Sequence, residues 1–377
     1  MDLDFSEEQE MLREMVRGVC STSASLESVR ALEDDPTGFS PEFWAQLAEL
    51  DLTGLMIPEE YGGSGMTALE GAVVYEEFGR ALAPSPHFVS AVLSAGLILR
   101  SGSDAQKQEW LPQIAKGDAI FTTAWLEPKG GFGPKGVRAQ ATADGDGWVL
   151  TGTKWHVPFA AAASKLVVLA RTGEGIADVD LFVVDPAAGG VELTQMFSIA
   201  SDCQYQLQLD SVAVTAADRI GAAGTGWATW DAVLTEGLVF LAAQAIGGAA
   251  YALEITVQYA KDREQFDKPL GAFQAISHYL ADAATAVNGG RILAYEAAWA
   301  ISDGRSVDSL APMAKLFACQ TYRNTTAMGE QVFGGVGFTL EYDIQLYFRR
   351  AKALQISWLD DNALSERVAV QVLDQPA

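Results

Sequence analysis

Apolar side chains recur at helical spacing through the first hundred residues. Phe5, Met11, Leu12, Met15 and Val16 form one stripe, and Ser6 followed by Gln9 reads as a capping box opening that helix. Ser40 before Pro41 predicts a second helix, because Ser accepts from the first unbonded N–H groups and Pro suits the first turn. The glycines of IPEEYGGSGM (57–66) mark an irregular loop, after which 67–81 and 88–99 are periodic again and a short helix starts over 104–110. From Ala119 to about Arg219 the period changes to short β-type runs at 148–151, 165–170, 180–184 and 204–214. Long alanine-rich helices then fill 226–263, 273–303, 308–334 and 342–372. The order predicts an α+β protein with a helical domain at 1–120, a β domain at 121–222 and a helical domain at 223–377. There is no repeat of fixed period and no low-complexity segment.

The most apolar run, 237–253, is near the minimum length of a membrane span, but it contains Gln244 and a cluster of small residues from Ala242 to Ala250. A buried helix packed closely on another is the expectation, so no membrane span is assigned. The formal charge of −24 excludes a broad nucleic-acid surface, and any anionic ligand needs a local basic pocket. Three scattered cysteines and three histidines support neither a disulfide framework nor a metal centre. The acidic, amphipathic N-terminus is not that of a signal peptide, and the expected compartment is the cytoplasm.

Two segments carry candidate chemistry. In 261–282, Arg263 and Lys268 flank the apolar Phe266, while Gln274 and His278 share a helix face; such a stretch suits a phosphate beside a flat ring, and equally a solvated helix corner. In 329–352, Gln331 leads into Gly334, Gly335 and Gly337, whose backbone N–H groups can approach a pyrophosphate or simply form a turn. No GxGxxG follows a strand, so a nicotinamide site of that kind is not supported.

Taken in order, 57–66, DGDGWVLTGTKWHV at 144–157, DREQFDKPLGAFQAISH at 262–278 and EQVFGGVGF at 330–338 followed by RRAK at 349–352 resemble the acyl-CoA dehydrogenase family. The resemblance spans nearly the whole chain. It implies an N-terminal helical domain, a middle β domain and a C-terminal four-helix bundle. It also implies an FAD enzyme that removes two hydrogens across Cα–Cβ of an acyl-CoA thioester and passes electrons to an electron-transfer flavoprotein-like acceptor. On this resemblance Arg263, Gln265 and Phe266 contact FAD across a subunit interface, Gln274 belongs to the same flavin-binding element, and Gln331, Gly334 and Gly335 lie against the adenosine diphosphate half. The assembly implied is a homo- or hetero-oligomer, a dimer of dimers.

The chain departs from the family where the reaction needs a base. Counting from RRAK, the usual Glu of a YEGT-like motif is replaced by Trp358, and the position used by a minority of the family is Gly237. Asp360, Asp361 and Glu236 are the neighbouring carboxylates, with Asp360 and Glu236 the candidate substitutes. The flavin-covering TEP loop reads Leu126-Glu127-Pro128-Lys129-Gly130-Gly131-Phe132-Gly133, and the W-I-T element reads His156-Val157-Pro158, or begins at Trp155; Pro158 has no N–H to offer. Three functions stand as expectations. They are a dehydrogenase with a displaced base, a base-less flavin-binding subunit paired with a catalytic paralogue (as in actinobacterial heterotetramers acting on bulky steroid or side-chain CoA esters), and a flavin-free interaction protein.

Overall fold

The computed structural model describes residues 5–373. Its elements are α1 (Glu7–Ser23), α2 (Leu26–Ala31), α3 (Pro41–Glu49), α4 (Ala68–Ala81), a π-helix (Phe88–Ser94) running into α5 (Ala95–Ser101), and α6 (Asp104–Ala115). Strands follow: β1 (Phe121–Ala124), β2 (Gln140–Asp144), β3 (Gly147–Pro158), β4 (Lys165–Arg171), β5 (Val179–Val184), β6 (Val191–Met196), β7 (Gln204–Val214) and β8 (Arg219–Ile220). The rest is α7 (Gly226–Asp262), the hairpin β9 (Glu264–Gln265) and β10 (Lys268–Pro269), α8 (Gln274–Ser302), α9 (Leu310–Phe333), α10 (Ile344–Ile356) and α11 (Asp361–Leu373). The Ser6–Gln9 capping box is present, and Ser40 caps α3 with Pro41 in its first turn. Thr67 with Glu70 and Ser103 with Gln106 form two further boxes, at α4 and α6.

The chain divides into two compact units. One comprises the described parts of 1–30, 67–83 and 238–377; the other comprises 31–66 and 84–237. In the first, α7 and α4 approach so closely that a Cβ on Gly247 would lie 1.8 Å from the Glu76 carbonyl oxygen, and one on Gly79 1.9 Å from that of Gln244. Only glycine fits either position. The small residues Ala242, Ala243, Ala245 and Ala249 are buried here. This is the apolar run whose length invited a membrane reading; among the described residues α7 is the one helix long and apolar enough to cross a bilayer, and 67% of its most apolar window is buried in the protein. Two buried carboxylates of α4 are compensated: Glu76 accepts from Arg291 Nε (2.9 Å) and the Tyr295 hydroxyl (2.7 Å), and Glu77 from Arg17.

In the second unit the strands form one sheet of order β6-β7-β3-β2-β4-β5-β8, with β1 added in parallel to β4. Most neighbours are antiparallel, and Leu150, Val157, Leu166, Val168, Phe182, Leu207 and Leu209 pack on one face as its core. The β3–β7 register shifts between Lys154 and Val157, and His156 inside that bulge has φ +54°. The π-helix is buried; Ser94 Oγ donates to the Val89 carbonyl (2.7 Å), and Ser90 Oγ accepts from the Phe121 N–H (3.1 Å).

The C-terminal region departs from expectation at one point. The helix anticipated over 342–372 is two helices, α10 and α11, because Trp358 and Leu359 adopt φ +57° and +99° and Asp360 caps a new start. The 88–99 segment is likewise divided, beginning as a π-helix rather than an α-helix.

Candidate functional site

Within the helical unit, the end of α7 feeds a two-residue turn. Phe266 (φ +54°) and Asp267 (φ +61°) occupy it, between the pairs Lys268–Gln265 and Pro269–Glu264. Consecutive positive φ values are those of a tight hairpin turn. They lift Phe266 out of the core, leaving it 86% exposed. Arg263 and Gln265 are exposed beside it, and no side-chain hydrogen bond or ion pair engages the Arg263 guanidinium among the described residues. Lys268 Nζ lies over the Phe273 ring (4.1 Å), and Gln274, exposed, opens α8. Behind the hairpin a largely apolar groove of about 360 Å³ is lined by residues that include Val257, Ala260, Pro269 and Leu280.

The second segment is tied to this hairpin by an aromatic stack absent from the sequence expectations. Tyr259, whose carbonyl accepts from the Arg263 N–H (2.9 Å), stacks on Phe333 with centroids 4.1 Å apart. Gly334 follows with φ +67° and ψ −142°, a backbone region essentially reserved for glycine. A Cβ on Gly334 or Gly335 would meet nothing within 4 Å, so these glycines face open space, and Gln331 is exposed with them. Glu330, one residue earlier, is buried with both carboxylate oxygens unpartnered, and burial raises its pKa. The set fits an anionic dinucleotide: an unengaged guanidinium for phosphate, open glycine backbone for close approach, and an exposed ring for stacking.

The same unit contains the turn where the resemblance expects a base. Trp358, half-buried, stands there, and Leu359, 1% exposed, takes the place of the motif's glycine while keeping a glycine-like φ of +99°. Left-handed backbone costs a non-glycine residue about 1–2 kcal/mol, so two in succession require compensation. Lys315 on α9 supplies it: fully buried, its Nζ donates to the carbonyls of Leu354 (3.2 Å), Ser357 (2.9 Å) and Leu359 (2.8 Å). Hydrogen bonds from a charged donor contribute about 1.5–3 kcal/mol each, enough to offset the strain and part of the cost of burial, which lowers the lysine's pKa. Asp360 Oδ1 accepts the Ala363 N–H (2.9 Å) as the cap of α11. Asp361 Oδ2 accepts from Gln355 (2.7 Å), while its Oδ1 is buried without a partner.

Within the sheet-bearing unit, Glu127 of the worn TEP loop is the centre of a buried cluster. Its Oε1 accepts from Lys154 Nζ (2.6 Å) and from the N–H groups of Arg138 and Ala139 (2.9 Å each). Lys154 is 0% exposed, and burial pulls its pKa down against the attraction of Glu127. The loop is closed further by Trp155 N–H to the Leu126 carbonyl (2.9 Å) and by Arg171 to the carbonyls of Pro134 and Val137. The Pro158 carbonyl accepts from Thr122 Oγ1 (2.6 Å). Glu236 is ion-paired with Arg100 and partly exposed. At Gly237 a Cβ would lie 3.2–3.3 Å from side-chain atoms of Leu93 and Phe88, so these neighbours would have to yield by a few tenths of an ångström to admit any side chain there.

Along the sequence the chain runs helical, β and helical, with a surface suited to an anionic dinucleotide, which is the organisation of flavin-dependent oxidoreductases acting on CH–CH groups. Family profiles agree with this architecture. The N-terminal, middle and C-terminal domains of acyl-CoA dehydrogenase match residues 6–118, 122–212 and 224–358. The chain belongs to the acyl-CoA dehydrogenase family, whose members are FAD-dependent. It is 31% identical to a probable acyl-CoA dehydrogenase, YngJ, of Bacillus subtilis (strain 168), covering 94% of this chain and 95% of that one. Among solved structures it superposes on the ChsE4-ChsE5 complex from Mycobacterium tuberculosis with TM-score 0.91 at 29% identity, covering both chains fully. A Tcur3481-Tcur3483 steroid ACAD variant gives TM-score 0.87 at 32% identity over 98% of each chain.

Proposed function

We propose that this chain is the flavin-binding, base-less subunit of an acyl-CoA dehydrogenase assembly, working beside a paralogue that carries the catalytic carboxylate in a dimer of dimers. The observation that carries this reading is the turn at 357–360: an indole occupies the base position on a backbone held by a buried lysine. The alternative base position, Gly237, is walled by Phe88 and Leu93. Asp360 is engaged in capping α11 and Glu236 in pairing with Arg100, so both candidate substitutes have structural employment.

Bound FAD supplies the acceptor for the β-hydride of the acyl thioester. The protein's own contribution is to hold and exclude. Arg263 neutralises the diphosphate, Phe266 and Gln265 cover the dinucleotide, Gln274 and Gln331 donate or accept at its edges, and Gly334 and Gly335 let the chain approach closely. These side chains are exposed on their own unit, which suits completion of a site belonging to another subunit. The indole of Trp358 fills the space an acyl α-carbon needs, so proton abstraction falls to the paralogue. Relatives that support the pairing are a two-component ChsE4-ChsE5 complex and a steroid ACAD of two named chains; a bulky steroid or side-chain CoA ester is the substrate class we infer, with an electron-transfer flavoprotein-like acceptor. Three free, buried cysteines accord with a cytoplasmic location.

The test is turnover. The isolated chain, loaded with FAD, should oxidise no acyl-CoA at a measurable rate, and Asp360→Asn and Glu236→Gln should leave a reconstituted heteromer's activity unchanged. A robust rate from the chain alone, lowered about 10²–10⁴-fold by Asp360→Asn, would instead assign a relocated base and overturn the reading.

A further inference from the structure

We propose that Lys315 is a positioning residue for position 358, its buried ammonium fixing the direction in which the side chain there is presented. An ammonium has three N–H donors. Here all three are spent on carbonyls bracketing one short turn: Leu354 at the end of α10, Ser357 before the left-handed pair and Leu359 within it. The last carbonyls of a helix lack partners of their own, and a cation at that end is favoured by the helix dipole.

The turn's other groups are accounted for separately. Ser357 Oγ donates back to the Ala353 carbonyl (2.7 Å), Leu359 enters the core, and Asp360 caps α11. Trp358 is half-buried on this unit, as are Ser357 and Asp360. Its φ of +57° and the +99° of Leu359 are set by backbone on either side, and Lys315 grips that backbone from both directions. Lys315 touches no reacting atom and acts through residue 358. The catalytic consequence rests on reading 358 as the base position; the clamp itself does not.

The experiment uses the FAD-loaded full chain with Lys315→Met and Lys315→Gln, each made with Trp358 and with Trp358→Phe. Subtracting near-ultraviolet circular dichroism spectra within each pair isolates the indole at 358 from the other tryptophans. Lys315→Met should lose at least half of that band, and Lys315→Gln, which keeps N–H donors without the charge, should retain more of it. An unchanged band in folded Lys315→Met would overturn the proposal; if that variant does not fold, an unchanged band in Lys315→Gln would do so. A second arm reads position against binding. Trp358→Glu should exchange the α-protons of octanoyl-CoA into deuterated water, and adding Lys315→Met should slow exchange about 10- to 100-fold at unchanged thioester affinity. Equal exchange with and without Lys315→Met would also overturn the clamp. Absence of exchange in Trp358→Glu would instead defeat the reading of 358 as the base position, leaving the indole band to decide the clamp.

Discussion

Replacing Lys154 by Met removes the ammonium that faces Glu127 at 2.6 Å inside the sheet-bearing unit, where the two side chains are 0% and 5% exposed. Breaking a buried ion pair by deleting one partner costs about 3–5 kcal/mol, because the survivor stays buried and uncompensated. The two deletions should differ. Without Lys154, the Glu127 carboxylate still accepts two backbone N–H groups, from Arg138 and Ala139, so the cost should fall near 3 kcal/mol. Glu127→Ala strands a buried cation and also orphans the part-buried Ala139 N–H, at about 1–3 kcal/mol, while water can take over the exposed Arg138 N–H, so it should cost about 4–8 kcal/mol. At about 2–4 °C per kcal/mol for a domain of this size, Lys154→Met should lower Tm by about 6–12 °C. Glu127→Ala should lower it further or prevent folding. The double variant Lys154→Met/Glu127→Gln, which removes both charges and keeps a side-chain acceptor for the two N–H groups, should recover part of the loss. Thermal melts followed by far-ultraviolet circular dichroism, with a double-mutant cycle, provide the measurement. If Lys154→Met melts within 2 °C of the unmodified protein, or below Glu127→Ala, the account of this cluster is wrong.

Arg263→Ala should weaken FAD about 10- to 100-fold in a fluorescence titration, the loss expected for one charge-assisted contact; unchanged affinity would remove Arg263 from the site. Gly335→Ala should leave Tm within about 1 °C, since its Cβ would enter open space, yet loosen FAD if the backbone there must approach the ligand. Gly247→Ala should destabilise the helical unit by at least about 1–3 kcal/mol or abolish folding, because the added methyl collides with the Glu76 carbonyl. His87, buried and bonded to the Leu52 carbonyl, has its pKa lowered to about 4 by burial, so the unfolded chain takes up a proton first. Stability from this group is intact above about pH 6.5 and is lost as pH falls toward 4, by up to about 3 kcal/mol; His87→Gln should flatten that limb of a Tm–pH curve.

Elements with strong local signals were legible in the sequence. The Ser6 and Ser40 caps, β7 over its full length and the start of α7 follow from residue types within one turn or strand of each other. β1, β2, β6 and β8 were not, because short strands such as β8, two residues paired to β5, exist through their neighbours rather than their own pattern. The break between α10 and α11 was hidden for the same reason. Nothing in ISWLDDN demands left-handed backbone; the hydrogen bonds that hold it come from Lys315, about forty residues away and itself unremarkable within an alanine-rich helix. The candidate cofactor residues could be picked out only through the family resemblance, since an exposed Arg, Phe and Gln are ordinary on any surface. Tyr259, which joins the two segments, read as one more aromatic on α7.

The hairpin that lifts Phe266 to 86% exposure has a cost for the cell that makes it. Phe338 and Leu340, at 67% and 76%, add to the greasy surface of the same unit. Side chains like these are harmless once another protein covers them and adhesive before that. On the pairing proposed above, a ribosome producing this chain in excess of its companion would release a sticky protein, and balanced synthesis of the two would protect against precipitation. Expression yield of the chain alone, compared with yield in the presence of a stoichiometric companion, becomes a readout of assembly long before any enzymology is attempted.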